Sequence, residues 1–202
     1  MIDLLATFIV FFAVIDPIGT VPVYIAVTSK LDELAKRKVA IQATLIAAAI
    51  LLFFVVVGEV ILTSLAIPLP AFQIAGGIVL FLFALSMIFG DSKPQEEMKM
   101  IGSATDTAVF PLAVPSIASP GAMLAAVMQT ENTKYTLFEQ VQVSGMILAV
   151  LLVVMVLMLA SSFVHRVIGN AGASIISRVM GLILASVAVT SILAGIEQYF
   201  LL

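Results

Sequence analysis

Asp16-Pro17-Ile18-Gly19-Thr20-Val21-Pro22 sets an acid, two prolines and a glycine inside an apolar run that extends from Leu4 to Val27. An acid at the centre of a membrane helix costs roughly 2.5–3.5 kcal/mol on insertion scales, and an interior proline about 3 kcal/mol relative to alanine. Each proline also lacks an N–H and obstructs the preceding turn, so carbonyls around Ala13 and Ile18 lose their helical partners where no water replaces them. Broken backbone at membrane depth survives only where it is buried in protein or lines a wet cavity. The stretch therefore reads as half of a binding site.

The composition sets the class. Of the 202 residues 62% are hydrophobic and 10% charged, with mean hydropathy +1.25, which excludes a soluble domain and leaves room for six spans of about 20 residues. A net charge of −3 with no dense basic cluster excludes a nucleic-acid partner. The N-terminus lacks the positive region of a signal peptide, so the first apolar run reads as a retained span. With no cysteine, neither disulfides nor thiol redox chemistry is available.

Charge, proline and glycine clusters place spans at about 3–28, 39–66, 71–90, 107–129, 141–164 and 179–200. Eight of the nine basic residues (Lys30, Lys36, Arg37, Lys38, Lys93, Lys99, Arg166 and Arg178) fall in loops 29–38, 91–106 and 165–178; the other face has only Lys134. The positive-inside rule makes those three loops cytoplasmic and puts both termini outside. Residues 30–38 read as a short surface helix, and Tyr24, Tyr135 and Tyr199 as interfacial anchors.

A second interrupted span governs the architecture. Pro115 and Pro120 repeat the five-residue spacing of Pro17 and Pro22 at an offset of 98, while Gly77-Ile78-Val79-Leu80 lies over Gly181-Leu182-Ile183-Leu184 at an offset of 104. The expected fold is an all-α, polytopic membrane protein of a single domain over 1–202. Its six transmembrane helices form two inverted three-helix repeats, about 1–100 and 101–202, with helices 1 and 4 broken. Each break offers free N–H groups to an anion and free carbonyls to a cation, so two facing breaks suit both ends of a zwitterion. Asp16, Pro17, Gly19, Thr20, Pro115, Ser116, Ser119 and Gly121 form the candidate site; the hydroxyls add polarity, and the glycines restrict the guest to a small one. A small neutral amino acid fits, as do other small polar solutes.

Asp16 can serve as ligand for an ammonium group, as carrier of a coupling proton, or as cap of the half-helix that starts at Pro17. Glu59, nearer the outer surface, is a gate or second coupling group, or a residue that merely reaches the interface. Ser86 and Thr190, matched by the repeat, are candidates for the lining, although such hydroxyls more often bond back to their own helix. His165, alone at a span end, reads as a solvated loop residue; no metal ligand set is expected, and no cofactor beyond a coupling proton or sodium.

DPIGTVP at 16–22, AGGIVLFLFALSM at 75–87, PLAVPSIASPGAM at 111–123 and RVMGLILASVAV at 178–189 together resemble the MarC family of six-span membrane proteins. The resemblance implies transport of small neutral amino acids such as glycine, alanine or serine across the cytoplasmic (inner) membrane, coupled to an ion gradient, and kinship with LysE-type exporters. Asp16, Pro17, Gly19 and Pro22 match its first motif, and Pro115, Pro120 and Gly121 its second; the family more usually has Asn at the position of Thr20 and Gly at that of Ser119. The rival readings are a channel, which calls for a polar stripe along several spans, an exporter for another small polar solute, and an intramembrane enzyme, which lacks a second carboxylate at the depth of Asp16.

Overall fold

Hydrocarbon leaves every backbone polar group to be satisfied within the chain, and this sequence answers with helices. The computed structural model describes residues 2–29, 31–89, 108–132 and 134–201, with side chains throughout except at Leu69, Val164, His165, Asn170, Ala173 and Leu201. The expectations for Lys30, loop 91–106 and the His165 side chain lie outside the described residues.

The first span is two helices, α1 (Leu4–Ile15) and α2 (Pro17–Thr28), divided at Asp16. Asp3 caps α1 through the amides of Leu5 and Ala6. Helix α3 (Glu33–Ser64) is capped by Asp32 and runs unbroken for 32 residues, so the expected surface helix is its first turns. At 1.5 Å per residue it is roughly 48 Å long, enough to cross the bilayer and project beyond it. Helix α4 (Leu69–Phe89) follows. The next segment, Ala108–Ile117, is an irregular half-span with wide turns, including a bond from the Ala118 amide to the Ala113 carbonyl. Its backbone is extended at Phe110 and Val114, each directly before a proline, where a helical conformation is disfavoured. Helix α5 (Pro120–Met128) leaves this half-span at a bend of 54°.

Helix α6 (Leu137–Leu159) opens with a reciprocal Thr136–Glu139 capping box. Helix α7 (Ser161–Leu201) corrects the expected loop 165–178, which is helical and interrupted only at Gly169. There φ is +64° and ψ 177°, a conformation open essentially to glycine alone. Polar residues at 166–178 imitated a loop, and the single kink was not legible among them.

Among the described residues five helices are long and apolar enough to cross a membrane, and the count is six where the bent pair is one span. The broken first span is the centre. Of its most apolar window 56% is buried, against 22–33% for the four continuous spans. Phe11, Val14 and Ile15 pack there with Leu112, Ile117, Leu51, Ile147 and Leu151, while Phe53, Val56, Leu82, Leu152, Leu182 and Phe200 project from the periphery, as lipid-facing side chains do.

The most extensive packing joins α4 to α7. A methyl group on Gly77 would meet the Ala188 carbonyl and Ile192; one on Gly181 would meet the Ala84 carbonyl and Ile88. These contacts exchange under a shift of 104 residues, the offset that matches the two glycines in sequence. They also run in opposite directions along the two helices, since early α4 meets late α7, as Gly195 against Pro70 and Ile74 repeats. Antiparallel α4 and α7 require an odd number of reversals between them, so the bent pair crosses the membrane rather than returning to its own side.

Candidate functional site

Breaking a helix leaves carbonyls behind and amides ahead, and here each break is closed partly by the other. Asp16 occupies the left-handed region (φ 51°, ψ 68°), which short polar side chains tolerate. Its own amide still bonds the Phe12 carbonyl, which ends α1, while its carboxylate Oδ1 accepts the Gly19 N–H at 3.0 Å, which begins α2. Pro17 at the first position of α2 has no amide to satisfy. In the second break Ser119 does the same work: its Oγ accepts the Ala122 N–H at 3.1 Å, with Pro120 next. Residues Asp16-Pro17 and Ser119-Pro120 thus correspond at an offset of 103. That agrees with the glycine frame to within one residue and departs from the proline spacing at 98.

The two breaks meet. Ser119 Oγ donates to the Val14 carbonyl at 3.2 Å, one of those orphaned by the interruption of the first span. Ser116 Oγ donates to Thr20 Oγ1 at 3.3 Å, and Thr20 Oγ1 to the Asp16 carbonyl at 3.1 Å. A third element enters from α7, where Ser177 Oγ donates to Asp16 Oδ2 at 2.7 Å. Asp16, Thr20, Ser116, Ser119 and Ser177 are all 0–1% exposed. Both carboxylate oxygens are therefore engaged as acceptors at the positive end of α2, in a setting where hydrogen bonds to a charged group are strong. A methyl group on Gly19 would overlap the Asp16 carboxylate and crowd Ser177 Oγ; one on Gly121 would press on Leu80 and Val14.

A cavity of about 420 Å³ opens on the face that carries Lys134, within the range of small-ligand pockets (~300–1,000 Å³). Asp3, Thr7, Gln73, Lys134, Tyr135 and Ser191 supply its polar wall, and Leu80 lies at the wall as well as against Gly121. Lys134 pairs with Glu131 at 3.0 Å and reaches Gln73 and Gln198 at 3.5 Å, tying the ends of α4 and α7 to the 129–136 loop. Burial pushes the Tyr135 phenol above its ordinary pKa, and the charges of Glu131 and Glu139 add to the effect. On the basic face a second cavity, about 350 Å³, is lined by Tyr24, Thr28, Glu33, Lys36, Arg37 and Ser161, among others.

The sequence-derived site residues divide clearly. Asp16, Pro17, Gly19, Thr20, Ser116, Ser119 and Gly121 converge and are buried; Pro115 is half-buried beside Ser116. Glu59 stands apart from the junction, where its Oε2 accepts the Asn132 N–H at 2.7 Å and holds the loop at the Lys134 face. Three expectations are corrected. Ser86 bonds the Phe83 carbonyl of its own helix, and Thr190, exposed, bonds that of Ser186; neither reaches the site. Tyr24, expected as an interfacial anchor, is buried. Ser177 was missed because it fell in the supposed loop, although a shift of 104 lays it over Gln73, a signal present in the sequence.

Five long apolar helices and a bent pair, packed around a buried polar junction of two broken helices, define a multi-pass integral membrane protein. The profile described as MarC family integral membrane protein matches residues 1–200. The chain belongs to the MarC family. It is 35% identical over 189 residues to a UPF0056 membrane protein, MJ1677, of Methanocaldococcus jannaschii, covering 92% of both chains. It is 30% identical over 200 residues to the UPF0056 membrane protein BU449 of Buchnera aphidicola (99% of both). To the UPF0056 membrane protein YhcE of Escherichia coli it is 32% identical, covering 96% of this chain and 91% of that one. No solved structure matches the chain.

Proposed function

We propose that the protein is a secondary transporter of small neutral amino acids of the glycine, alanine and serine class. It works by alternating access around Asp16, in the cytoplasmic membrane, with the basic face inside and both termini outside. The observation that carries this reading is the buried junction itself: two interrupted helices share their hydroxyls and carbonyls around one carboxylate, and Leu80, which packs against Gly121 beside the junction, also lines the cavity on the Lys134 face. A substrate ammonium can replace the Ser177 hydroxyl on Asp16, and a substrate carboxylate can take the amides at the start of α5, with Ser116, Ser119 and Thr20 exchanging partners. The space beside Gly19 and Gly121 is filled by Asp16, Ser177, Leu80 and Val14, so only a small guest can enter as these side chains exchange partners. In this reading the chain catalyses no reaction and needs no cofactor; Asp16 also carries the coupling proton or sodium ion.

The test is uptake and counterflow of labelled glycine, alanine and serine in proteoliposomes, with and without a proton or sodium gradient, for the wild type and Asp16→Asn. Wild-type accumulation driven by one gradient is expected, with Asp16→Asn losing accumulation. Failure of the wild type to move any of the three refutes the substrate class.

A further inference from the structure

The junction is closed differently on its two sides, and the difference follows the repeat. Toward the basic face, Ser177 near the start of the last span bonds Asp16, the residue that begins the half-helix of the first break. The corresponding pair toward the Lys134 face is Gln73, 104 residues before Ser177 and near the start of α4, and Ser119, 103 residues after Asp16. Ser119 caps α5 as Asp16 caps α2. Gln73 is withdrawn into the wall of the open cavity, where its amide oxygen lies 3.5 Å from Lys134 Nζ, and the Ser119 hydroxyl donates to Val14 instead. On one side the bond is made, apart from the cavity of about 350 Å³ on the basic face, which Ser177 does not line; on the other a cavity of about 420 Å³ takes in both Gln73 and Leu80, the residue that packs against Gly121 at the start of α5.

We infer that Ser177 and Gln73 are two latches that alternate: Ser177 on Asp16 holds the basic side shut in the state seen here, and Gln73 on the Ser119 end of α5 holds the Lys134 side shut in the other. This rests on the alternating-access reading above and adds the residues that gate it. Helices α4 and α7 pack on one another through contacts that the shift of 104 exchanges, so they can tilt as a pair, drawing Ser177 away from Asp16 as Gln73 advances. The same step explains coupling. A cation or ammonium on Asp16 takes the oxygen that Ser177 uses, so loading the site releases the latch on the side where the cargo must leave. Both latches are positioning residues: they act through Asp16 and Ser119.

The wild type has no cysteine, so a single Val10→Cys on the wall of the open cavity reports its exposure. The readout is the rate at which a membrane-impermeant maleimide, added on the Lys134 face of oriented vesicles, modifies that thiol. Ser177→Ala is expected to slow labelling, because loss of one hydrogen bond to a charged acceptor shifts the ratio of the two states by about tenfold or more. Ser177→Thr, which keeps the hydroxyl, is expected to restore it. Gln73→Ala, a change at the cavity wall that leaves the core intact, is expected to speed labelling. An unchanged rate in Ser177→Ala, or Gln73→Ala and Ser177→Ala moving the rate the same way, overturns the latches. Because no substrate is added, the expected labelling pattern in a protein that transports none of the three amino acids would keep the latches and discard the substrate assignment.

Discussion

At Gly19 the chain leaves no room even for a methyl group, because that volume belongs to the Asp16 carboxylate and the Ser177 hydroxyl. Gly19→Ala must therefore push the carboxylate off the α2 amide, and uptake is expected to fall to background even where the protein still folds, as size-exclusion profile and uptake measured together would show. Gly145 is the control, since a methyl group there meets nothing within 4 Å. Alanine at that exposed helical position should stabilise by up to about 1 kcal/mol in thermal unfolding and leave uptake alone. Tyr135 gives a pH dependence. Its phenol is raised by burial first and by Glu131 and Glu139 next, so the folded state prefers the neutral form. The resulting stability is complete below the unfolded value of about 10 and is lost as pH rises through the higher folded value. Tyr135→Phe should flatten that alkaline loss in a pH series of unfolding temperatures.

Among the elements, the half-helix starts were the most legible and the register between them the least. An acid or hydroxyl directly before proline is a helix start by simple chemistry: the side chain supplies the acceptor and proline needs no amide. Asp16-Pro17 and Ser119-Pro120 both obey it. The five-residue proline spacing misleads because Pro22 sits within α2 whereas Pro115 lies in the irregular half-span before the break. Two prolines at equal spacing thus do unequal jobs. Ser86 and Thr190 were overread for a similar reason: the frame that matches them is right for the packing of α4 on α7, but their hydroxyls satisfy carbonyls one turn back, as isolated hydroxyls in apolar helices do. The energetic consequence of cross-closure is measurable. Ser119→Ala removes the α5 cap and strands the buried Val14 carbonyl, together roughly 2–4 kcal/mol, whereas Thr136→Ala on the exposed start of α6 costs about 1 kcal/mol. Equal losses in detergent unfolding would mean that the two breaks do not support one another.

For the whole molecule, direction is the quantity that ties sequence to architecture. The basic residues give it in the sequence, because Lys and Arg resist translocation and gather on one side. In the structure the opposed run of contacts along α4 and α7 gives it independently, without reference to charge. Both depend on the bent pair, Ala108–Ile117 with Pro120–Met128, going through the membrane. Were it a re-entrant loop, α4 and α7 would be parallel, the basic loops would fall on opposite faces, and the two breaks would not face each other from opposite sides. Leu34 and Leu137 decide the matter cleanly, since they are 77% and 78% exposed, and three crossings separate them if the bent pair spans but two if it returns. In intact cells, Leu137→Cys is expected to react with an impermeant thiol reagent and Leu34→Cys to stay silent until the membrane is inverted. Reaction of both from one face would leave α4 and α7 parallel and remove the inverted relation on which the alternating latches depend.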